Sequence, residues 1–254
     1  MNKQKRDRVY AVLCTVLTLI FIAVMLFMVG ELPPLGRADN PDINEVVEFY
    51  MEEGPEETGA LNAVTGMILH YRAFDTLGES CVLFVSAVCV FILLRIDGEA
   101  SNDTLVAIDR RYEPTGDPIL TQTFKVLVPA VFMFGIYITM NGHLSPGGGF
   151  SGGAIIGAGL LLFLNAYGLE KTERFMTSGL HRRITALALC FYAIAKSYTF
   201  YTGANGLKSF ESAGTPGAIL SAGLSLPLNI CVAIVVAMTI YSMYIMLRKG
   251  GFNK

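Results

Sequence analysis

Long apolar runs separated by short polar segments constrain this chain more than any other feature of its sequence. The first run, residues 9–29, contains no charged residue. Runs of about 18 or more apolar residues are long enough to cross the hydrocarbon core of a bilayer as helices. Five further runs follow, at about 77–96, 124–140, 150–169, 184–201 and 226–247. The sequence therefore predicts an all-α, polytopic integral membrane protein with six transmembrane helices.

The composition supports this class and excludes several others. Hydrophobic residues make up 53% of the 254 residues and charged residues 16%, with a net charge of −2. Soluble domains average about one quarter charged residues. These values exclude a disordered chain, a basic nucleic-acid-binding protein and an ordinary secreted domain. The five cysteines lie within apolar runs without CxxC spacing, so we expect no zinc or iron–sulfur site, no disulfide and no cofactor.

The polar segments beside the first two spans carry local structural signals. The basic stretch KQKRDR before the first run also resembles the start of a signal peptide, but no small-residue cleavage site follows, so we expect a retained helix. Segment 30–59 is acidic and punctuated by Pro and Gly, which predicts a loop with one short helix near 43–51. Leu61, Val64, Ile68 and Tyr71 recur at helical spacing and predict an amphipathic helix.

The basic residues are distributed unevenly between the two sides of the predicted membrane. Six spans put both termini on one side, and that side receives 15 of the 19 Lys and Arg residues. The opposite side receives Arg37, Arg72 and Lys208, and Lys196 falls within a span. Positively charged loops face the cytoplasm. We therefore expect cytoplasmic termini in the cell membrane, with the acidic loop 30–59 outside.

Charged side chains at the start of the second span are the first candidates for an ion path. Asp75 and Glu79 are four residues apart, which places both carboxylates on one helix face, and Arg72 shares that face. The group is either an interfacial ion-pair cluster or the entry to a proton or cation path. Two nearby carboxylates can hold a proton near neutral pH. Asn62 and Thr65 precede them and offer hydrogen bonds.

Lys196 lies within the fifth predicted span, about a turn and a half before its end. Two interpretations are open. Its long side chain can extend along the helix and bring the ammonium group to the membrane surface. Alternatively the ammonium group is buried, pairs with a carboxylate and exchanges a proton, because burial penalises the charged form.

The segment GHLSPGGGFSGG, residues 142–153, separates the third and fourth spans. Proline cannot donate a backbone hydrogen bond, and glycine permits conformations that other residues avoid. The segment is therefore either a tight hairpin at the membrane surface or a packed helix break that exposes backbone groups to an ion path. His143 is either structural or a proton relay. The helix-break residues are Gly142, Ser145, Pro146, Gly147, Gly148, Gly149, Gly152 and Gly153, with Asn141 as a polar neighbour.

Two stretches resemble known membrane proteins. The segment DPILTQTFKVLVPAVFMFGIYITMNGHLSPGGGFSGG and the chain up to about residue 247 resemble the MnhB-like family, one of the component chains of Mrp-type multisubunit Na⁺/H⁺ antiporters. The family usually has glutamine at the position of Ser151. Upstream, NAVTGMILHYRAFDTLGESCVLF resembles the last segment of the large A-type chain of these antiporters. The same segment is a separate small E-type chain in membrane-bound hydrogenase-type complexes.

The resemblance implies a domain organisation and a function. It implies a two-helix module over 1–98, a cytoplasmic connector over 99–123 and a four-helix MnhB-like module over 124–254. The expected function is a non-catalytic subunit that helps to form the path for Na⁺ and H⁺, with other membrane subunits and the lipid bilayer as partners. Glu79 is then the leading ion-path residue. A component of an ion-pumping membrane-bound hydrogenase or related respiratory complex, and a purely structural assembly component, are the alternatives.

Overall fold

The computed structural model of the protein describes residues 3–32, 44–93, 118–169, 172, 177–207 and 214–249. The chain divides into two compact units, Met1–Glu48 and Phe49–Lys254. The first unit contains helix α1, Lys3–Gly30. The second contains the remaining long helices, and in it the second predicted span packs against the fifth and sixth. Most of the predicted connector and part of the acidic loop lie outside the described residues.

Six helices in the described residues are long and apolar enough to cross a membrane, which confirms the predicted fold class. They are α1 (Lys3–Gly30), α5 (Ala73–Leu93), α6 (Pro118–Met140), α7 (Gly149–Tyr167), α8 (Ser178–Ala204) and α9 (Ser225–Lys249). Helix α6 begins at Pro118, earlier than the apolar run alone predicts, because proline is favoured in the first turn of a helix. The end of the predicted connector is therefore helical.

Short helices precede α5. Helix α2, Glu45–Glu52, corresponds to the short helix predicted near 43–51, and α3, Gly54–Thr58, follows it. The predicted amphipathic helix from Leu61 to Tyr71 is not continuous. Helix α4, Ala63–Gly66, leads into a π-helix, Met67–Tyr71, and then into α5. Helical spacing of apolar residues does not distinguish an α-helix from a turn of π-helix, which adds one residue per turn.

Helix α9 forms the centre of the second unit. About 67% of the residues in its membrane-spanning stretch are buried, a larger share than in any other described span. One apolar cluster joins it to Tyr192 of α8 and Leu69 of the π-helix, and another joins it to Leu160 and Leu164 of α7. The last span of the chain is thus the element on which α5, α7 and α8 pack.

Glycines bring α7 close to both of its neighbours. A Cβ atom at Gly153 would lie 2.7 Å from the carbonyl oxygen of Ala233 on α9. A Cβ atom at Gly152 would overlap the hydroxyl of Thr139 on α6. Small residues allow membrane helices to approach closely and gain van der Waals contact. Helix α7 can therefore be packed between α6 and α9.

Candidate functional site

Residues 141–148 of the glycine-rich segment form a tight turn between α6 and α7, whereas Gly149, Gly152 and Gly153, which we expected to belong to the helix break, lie in the first turns of α7. Helix α6 ends at Met140 and α7 begins at Gly149. Gly148 closes the turn with a φ of 106°, a conformation that favours glycine, and its N–H donates to the carbonyl of Ile138 at 3.2 Å. The turn is also packed, because residues on both sides of it are buried.

Asn62 and Thr65 bind the backbone of this turn. The Asn62 amide Nδ2 donates to the carbonyls of Gly142 and Ser145, both at 2.9 Å, and Thr65 Oγ1 donates to Gly142 at 2.6 Å. The backbone N–H of Asn62 donates to the carbonyl of His143 at 3.0 Å. The sequence offered Asn62 and Thr65 as hydrogen-bonding neighbours of the α5 carboxylates; in the structure, these side chains donate to the turn instead. The Gly142 carbonyl already accepts two hydrogen bonds, so it has no free lone pair for a cation.

Asn229 of α9 closes the other side of the turn. Its side-chain Oδ1 accepts a hydrogen bond of 2.8 Å from the backbone N–H of Gly149, the first residue of α7. The first N–H groups of a helix lack partners within that helix, so the contact acts as a cap supplied by another span. A Cβ atom at Gly149 would lie 2.5 Å from the carbonyl oxygen of Asn229, which explains why glycine is needed there. Asn229 therefore makes an interhelical hydrogen bond between α9 and α7.

Three buried polar side chains near the turn have atoms without a hydrogen-bond partner in the described structure. They are Nε2 of His143 and the hydroxyls of Ser221 and Ser225, each belonging to a residue at most 3% exposed. Buried polar atoms of this kind are usually satisfied by ordered water or by a bound partner. His143 is therefore a buried residue of the turn, and nothing in the structure assigns it a relay role.

His70 of the π-helix connects the segment before α5 to the loop before α9. Its Nε2 lies 3.0 Å from the carbonyl oxygen of Ala222. Since a carbonyl only accepts, Nε2 must carry the proton of this hydrogen bond. Ala222 is fully buried and has a φ of 63°, an uncommon conformation for a residue other than glycine. The hydrogen bond helps to hold this strained residue in place.

An aromatic group covers the outer side of the π-helix. Tyr71 stacks on Tyr50 with ring centroids 4.8 Å apart, and its hydroxyl donates to Glu57 Oε2 at 2.6 Å. Burial and the hydrogen bond to Glu57 both raise the pKa of Tyr71 above its usual range. The neutral phenol is therefore the stable form at physiological pH, and it attaches the acidic segment to the π-helix.

Helix α5 has an exposed acidic face. Asp75 forms an ion pair of 2.6 Å with Arg72, and the two side chains are 54% and 63% exposed. Glu79 is also exposed, and Gly78 beside it has no atom within 4 Å of the position of a Cβ. The structure therefore brings Asp75, Glu79 and Arg72 together on one face, as predicted, and leaves that face uncovered by the described part of the chain.

A second polar face of α5 is buried, and the sequence analysis missed it. Thr76 and Ser80 are 3% and 1% exposed, and Ala73 and Ala87 complete the same buried stripe. Opposite the stripe, the Tyr192 hydroxyl of α8 donates to the carbonyl of Ala73 at 3.0 Å. The signal was available in the sequence, because Thr76 and Ser80 repeat at the same four-residue spacing as Asp75 and Glu79.

Lys196 is buried. Only 4% of the residue is exposed, and it lies one helical turn beyond Tyr192 on α8. A side chain that reached out to the membrane surface would leave its ammonium group accessible. Of the two interpretations that the sequence left open, the structure therefore favours the buried one.

Comparisons with known proteins agree with this architecture. Residues 119–242 match the family model of a domain related to the MnhB subunit of Na⁺/H⁺ antiporters, and residues 4–112 match the MbhE family model, a component of MBH. An uncharacterized protein of Methanocaldococcus jannaschii is 31% identical over 68% of this chain and 71% of its own length. A probable K⁺/H⁺ antiporter protein of the A/B type from Rhizobium meliloti is 28% identical over 50% of this chain, but only 14% of that protein is covered.

Solved membrane complexes contain chains of similar fold. A chain of the archaeal membrane-bound sulfane sulfur reductase matches with a TM-score of 0.66 and 28% identity, over 91% of this chain and 97% of that one. A chain of the Mrp complex from Dietzia matches with a TM-score of 0.64 over all of this chain and 27% of its own length, and at 21% identity it shows the fold alone. This chain belongs to the MnhB-related family of membrane proteins, with a segment matching MbhE ahead of its MnhB-related domain.

Proposed function

We propose that this chain is a non-catalytic, multi-pass component of a multisubunit cation/proton antiporter complex in the cell membrane. Support comes from the MnhB-related match over residues 119–242 and from relatives named as antiporter subunits. Na⁺ and H⁺ are the transported ions in this proposal. The two-helix module over 1–98, the connector over 99–123 and the four-helix module over 124–254 remain its working division.

The observation that carries the proposal is the exposed carboxylate of Glu79 in a membrane-spanning helix. At 1.5 Å per residue, Glu79 lies about 9 Å along α5 from Ala73. A charged side chain facing lipid near the bilayer centre costs at least about 2.5–3.5 kcal/mol, so intramembrane carboxylates face partners or water. The face of α5 that carries Glu79 is therefore a surface for a neighbouring chain of the complex.

The ion pair at the start of α5 supports different roles for the two carboxylates. Asp75 is neutralised by Arg72 at 2.6 Å. Glu79 has no ion-pair partner within the described residues, so it is the carboxylate available to bind a cation or a proton. In the proposed cycle, Glu79 alternates between a protonated form and a form paired with the transported cation. In this proposal the turn at 141–148 is a rigid structural element and does not bind the cation, because its Gly142 carbonyl already accepts two hydrogen bonds.

The test is a Glu79→Gln substitution in the assembled complex. Glutamine keeps the size and hydrogen bonding of the side chain but can neither ionise nor pair with a cation. We expect Na⁺-dependent proton exchange in membrane vesicles to fall by about tenfold or more, the scale of an essential proton-transfer group. Proton movement is followed with a pH-sensitive dye after addition of NaCl.

A matched control tests whether the loss of exchange is specific to Glu79 or follows from removing any exposed carboxylate in this part of the chain. Glu48→Gln removes an exposed carboxylate from α2, outside the spans, and we expect it to leave exchange unchanged. Full exchange by a normally assembled Glu79→Gln complex would refute the ion-path role. If exchange also survived combined substitution of Glu79, Asp75, His143 and Lys196, the chain would be a structural assembly component.

A second candidate function is a membrane component of a respiratory hydrogenase or related oxidoreductase complex. The match of residues 4–112 to MbhE favours it, as does the similarity to a chain of the sulfane sulfur reductase over 97% of that chain. Purification of the native complex distinguishes the two. Co-purifying iron–sulfur subunits would indicate the respiratory complex, and their absence alongside antiporter subunits would indicate the antiporter.

A further inference from the structure

The buried polar side chains between α5 and α8 form a site separate from the exposed acidic face. On α5, Thr76 and Ser80 lie on the stripe that packs inward, whereas Asp75 and Glu79 are exposed. The Thr76 hydroxyl donates to the carbonyl of Ile68 at 2.7 Å. The Ser80 hydroxyl is buried and has no hydrogen-bond partner in the described structure. An unsatisfied hydroxyl inside a membrane protein indicates that water or another polar group reaches it.

Two aromatic contacts locate Lys196 beside the beginning of α5. The hydroxyl of Tyr192, one turn before Lys196, donates to the Ala73 carbonyl at 3.0 Å. The ring of Phe200, one turn after Lys196, lies edge-on to Phe74 with centroids 5.8 Å apart. Lys196 is between these contacts on the same helix. Lys196 therefore lies beside the beginning of α5, where the buried stripe that carries Thr76 and Ser80 starts.

The titratable groups around this contact are few. Helix α5 contributes Asp75 and Glu79 on its exposed face, and α9 contributes Cys231, which packs in the same core cluster as Tyr192. The π-helix contributes His70, which is bonded to Ala222. Tyr192 is on α8 itself and donates its proton to a carbonyl. Of these groups in the described structure, Lys196 is the buried one whose side chain ends in an amine that can gain or lose a proton.

We propose that Lys196 is a proton-carrying residue of the exchange cycle and that the hydroxyls of Thr76, Ser80 and Tyr192 line the buried, hydrated route to it. The inference rests on the proposed function, since it adds a second proton-carrying group, on the buried side of α5, to the Glu79 site on its exposed face. In the transfer step, one N–H bond of the Lys196 ammonium group breaks and the proton passes to a water molecule of this route. The electron pair stays on the nitrogen as a neutral amine, and the reverse step reloads it.

Two substitutions of Lys196 distinguish a proton carrier from a structural residue. Arginine keeps the positive charge but does not deprotonate in proteins, and methionine keeps most of the length of the side chain without charge. Neither arginine nor methionine can replace a residue that must gain and lose a proton. We therefore expect Na⁺-dependent exchange to fall by about tenfold or more in both variants of the assembled complex. Exchange at the wild-type rate in either the Arg or the Met variant would overturn the proposal.

A second measurement tests the hydrated route without relying on transport. The five native cysteines, Cys14, Cys81, Cys89, Cys190 and Cys231, are free and are first replaced by alanine in the assembled complex. Ser80→Cys is then compared with Ala87→Cys, which lies on the same buried stripe of α5 and is 4% exposed. The probe is a methanethiosulfonate ethylammonium reagent, which needs water and a thiolate to react. Labelling is quantified by intact-mass spectrometry.

The outcomes separate this inference from the proposed function. We expect Ser80→Cys to be labelled at least about tenfold faster than Ala87→Cys. Equal, slow labelling at both positions would overturn the hydrated route, whatever the transport result. If the wild-type complex moves no protons in response to Na⁺, the proposed function fails. Fast labelling at Ser80→Cys would in that case still support a hydrated site.

Discussion

A single buried amide, that of Asn229, determines how two distant parts of the chain meet. Its Oδ1 accepts from the N–H of Gly149, and its Nδ2 lies 3.0 Å from where a Cβ would be on Gly142. Few groups at membrane depth can replace this hydrogen bond, because lipid offers no donor or acceptor. Asn229 is 6% exposed, so bulk water cannot replace it either. The contact should therefore contribute measurably to stability.

We expect Asn229→Leu to destabilise the protein by about 1–3 kcal/mol, the cost of leaving a buried N–H without a partner. The readout is the midpoint of thermal unfolding of the purified complex in mild detergent. Asn205→Leu is the matched control, because the Asn205 side chain also hydrogen-bonds to the backbone, donating to the Tyr201 carbonyl at 2.8 Å, but is exposed. Equal effects of the two substitutions would contradict a special role for Asn229.

The residues that meet at the turn also mark the limit of sequence reasoning. The sequence predicted that Gly142–Gly153 interrupts a helix, because proline and glycine restrict the backbone locally. It did not predict that Asn62 and Thr65 bind that turn, because those hydrogen bonds join positions 77 to 83 residues apart. Burial of Lys196 was likewise undecided, since a long side chain permits both outcomes and only its packing neighbours choose between them.

At the scale of elements, close approach of α7 and α9 depends on glycine. The position of a Cβ on Gly153 lies 2.7 Å from the carbonyl oxygen and 2.8 Å from the Cα of Ala233. Both are backbone atoms, so neither can rotate away as a side chain would. An added methyl group must push the two helices apart, and the contacts along their whole interface weaken together.

Gly153→Ala should therefore destabilise the protein by about 1–3 kcal/mol, the usual cost of overpacking a well-packed contact. Gly203→Ala in α8 is the control, because nothing lies within 4 Å of a Cβ there. Alanine is a better helix former than glycine by up to about 1 kcal/mol, so the control should be neutral or slightly stabilising. Unfolding midpoints measured on the same complex decide the comparison, and a neutral Gly153→Ala would refute the packing argument.

The spans themselves could be predicted and their details could not. Hydropathy identifies a membrane helix because the bilayer requires about 20 apolar residues, and all six predicted spans are helices in the structure. The same signal does not report where α6 begins, since Pro118–Thr123 includes polar residues that a helix accepts at the membrane surface. It also cannot reveal the π-helix at Met67–Tyr71, whose extra residue changes which side chains face α9.

At the scale of the whole molecule, the distribution of charge predicts an orientation. With six spans and 15 of 19 basic residues on one side, both termini should be cytoplasmic. Alkaline phosphatase, which is active only outside the cytoplasm, should be inactive when fused after Lys254 and active when fused after Asn205. The reverse pattern of enzyme activity would show that the chain is inserted the other way round.

The central position of α9 has a consequence for how the protein is made. Ser225–Lys249 is the last described helix of the chain, yet it supplies the surface for α5, α7 and α8 and the cap for Gly149. During synthesis, the earlier spans enter the membrane before the helix that joins them exists. Until α9 is made, the α7 glycines that face it are uncovered and the N–H of Gly149 lacks its partner. A product truncated before α9 cannot complete this packing.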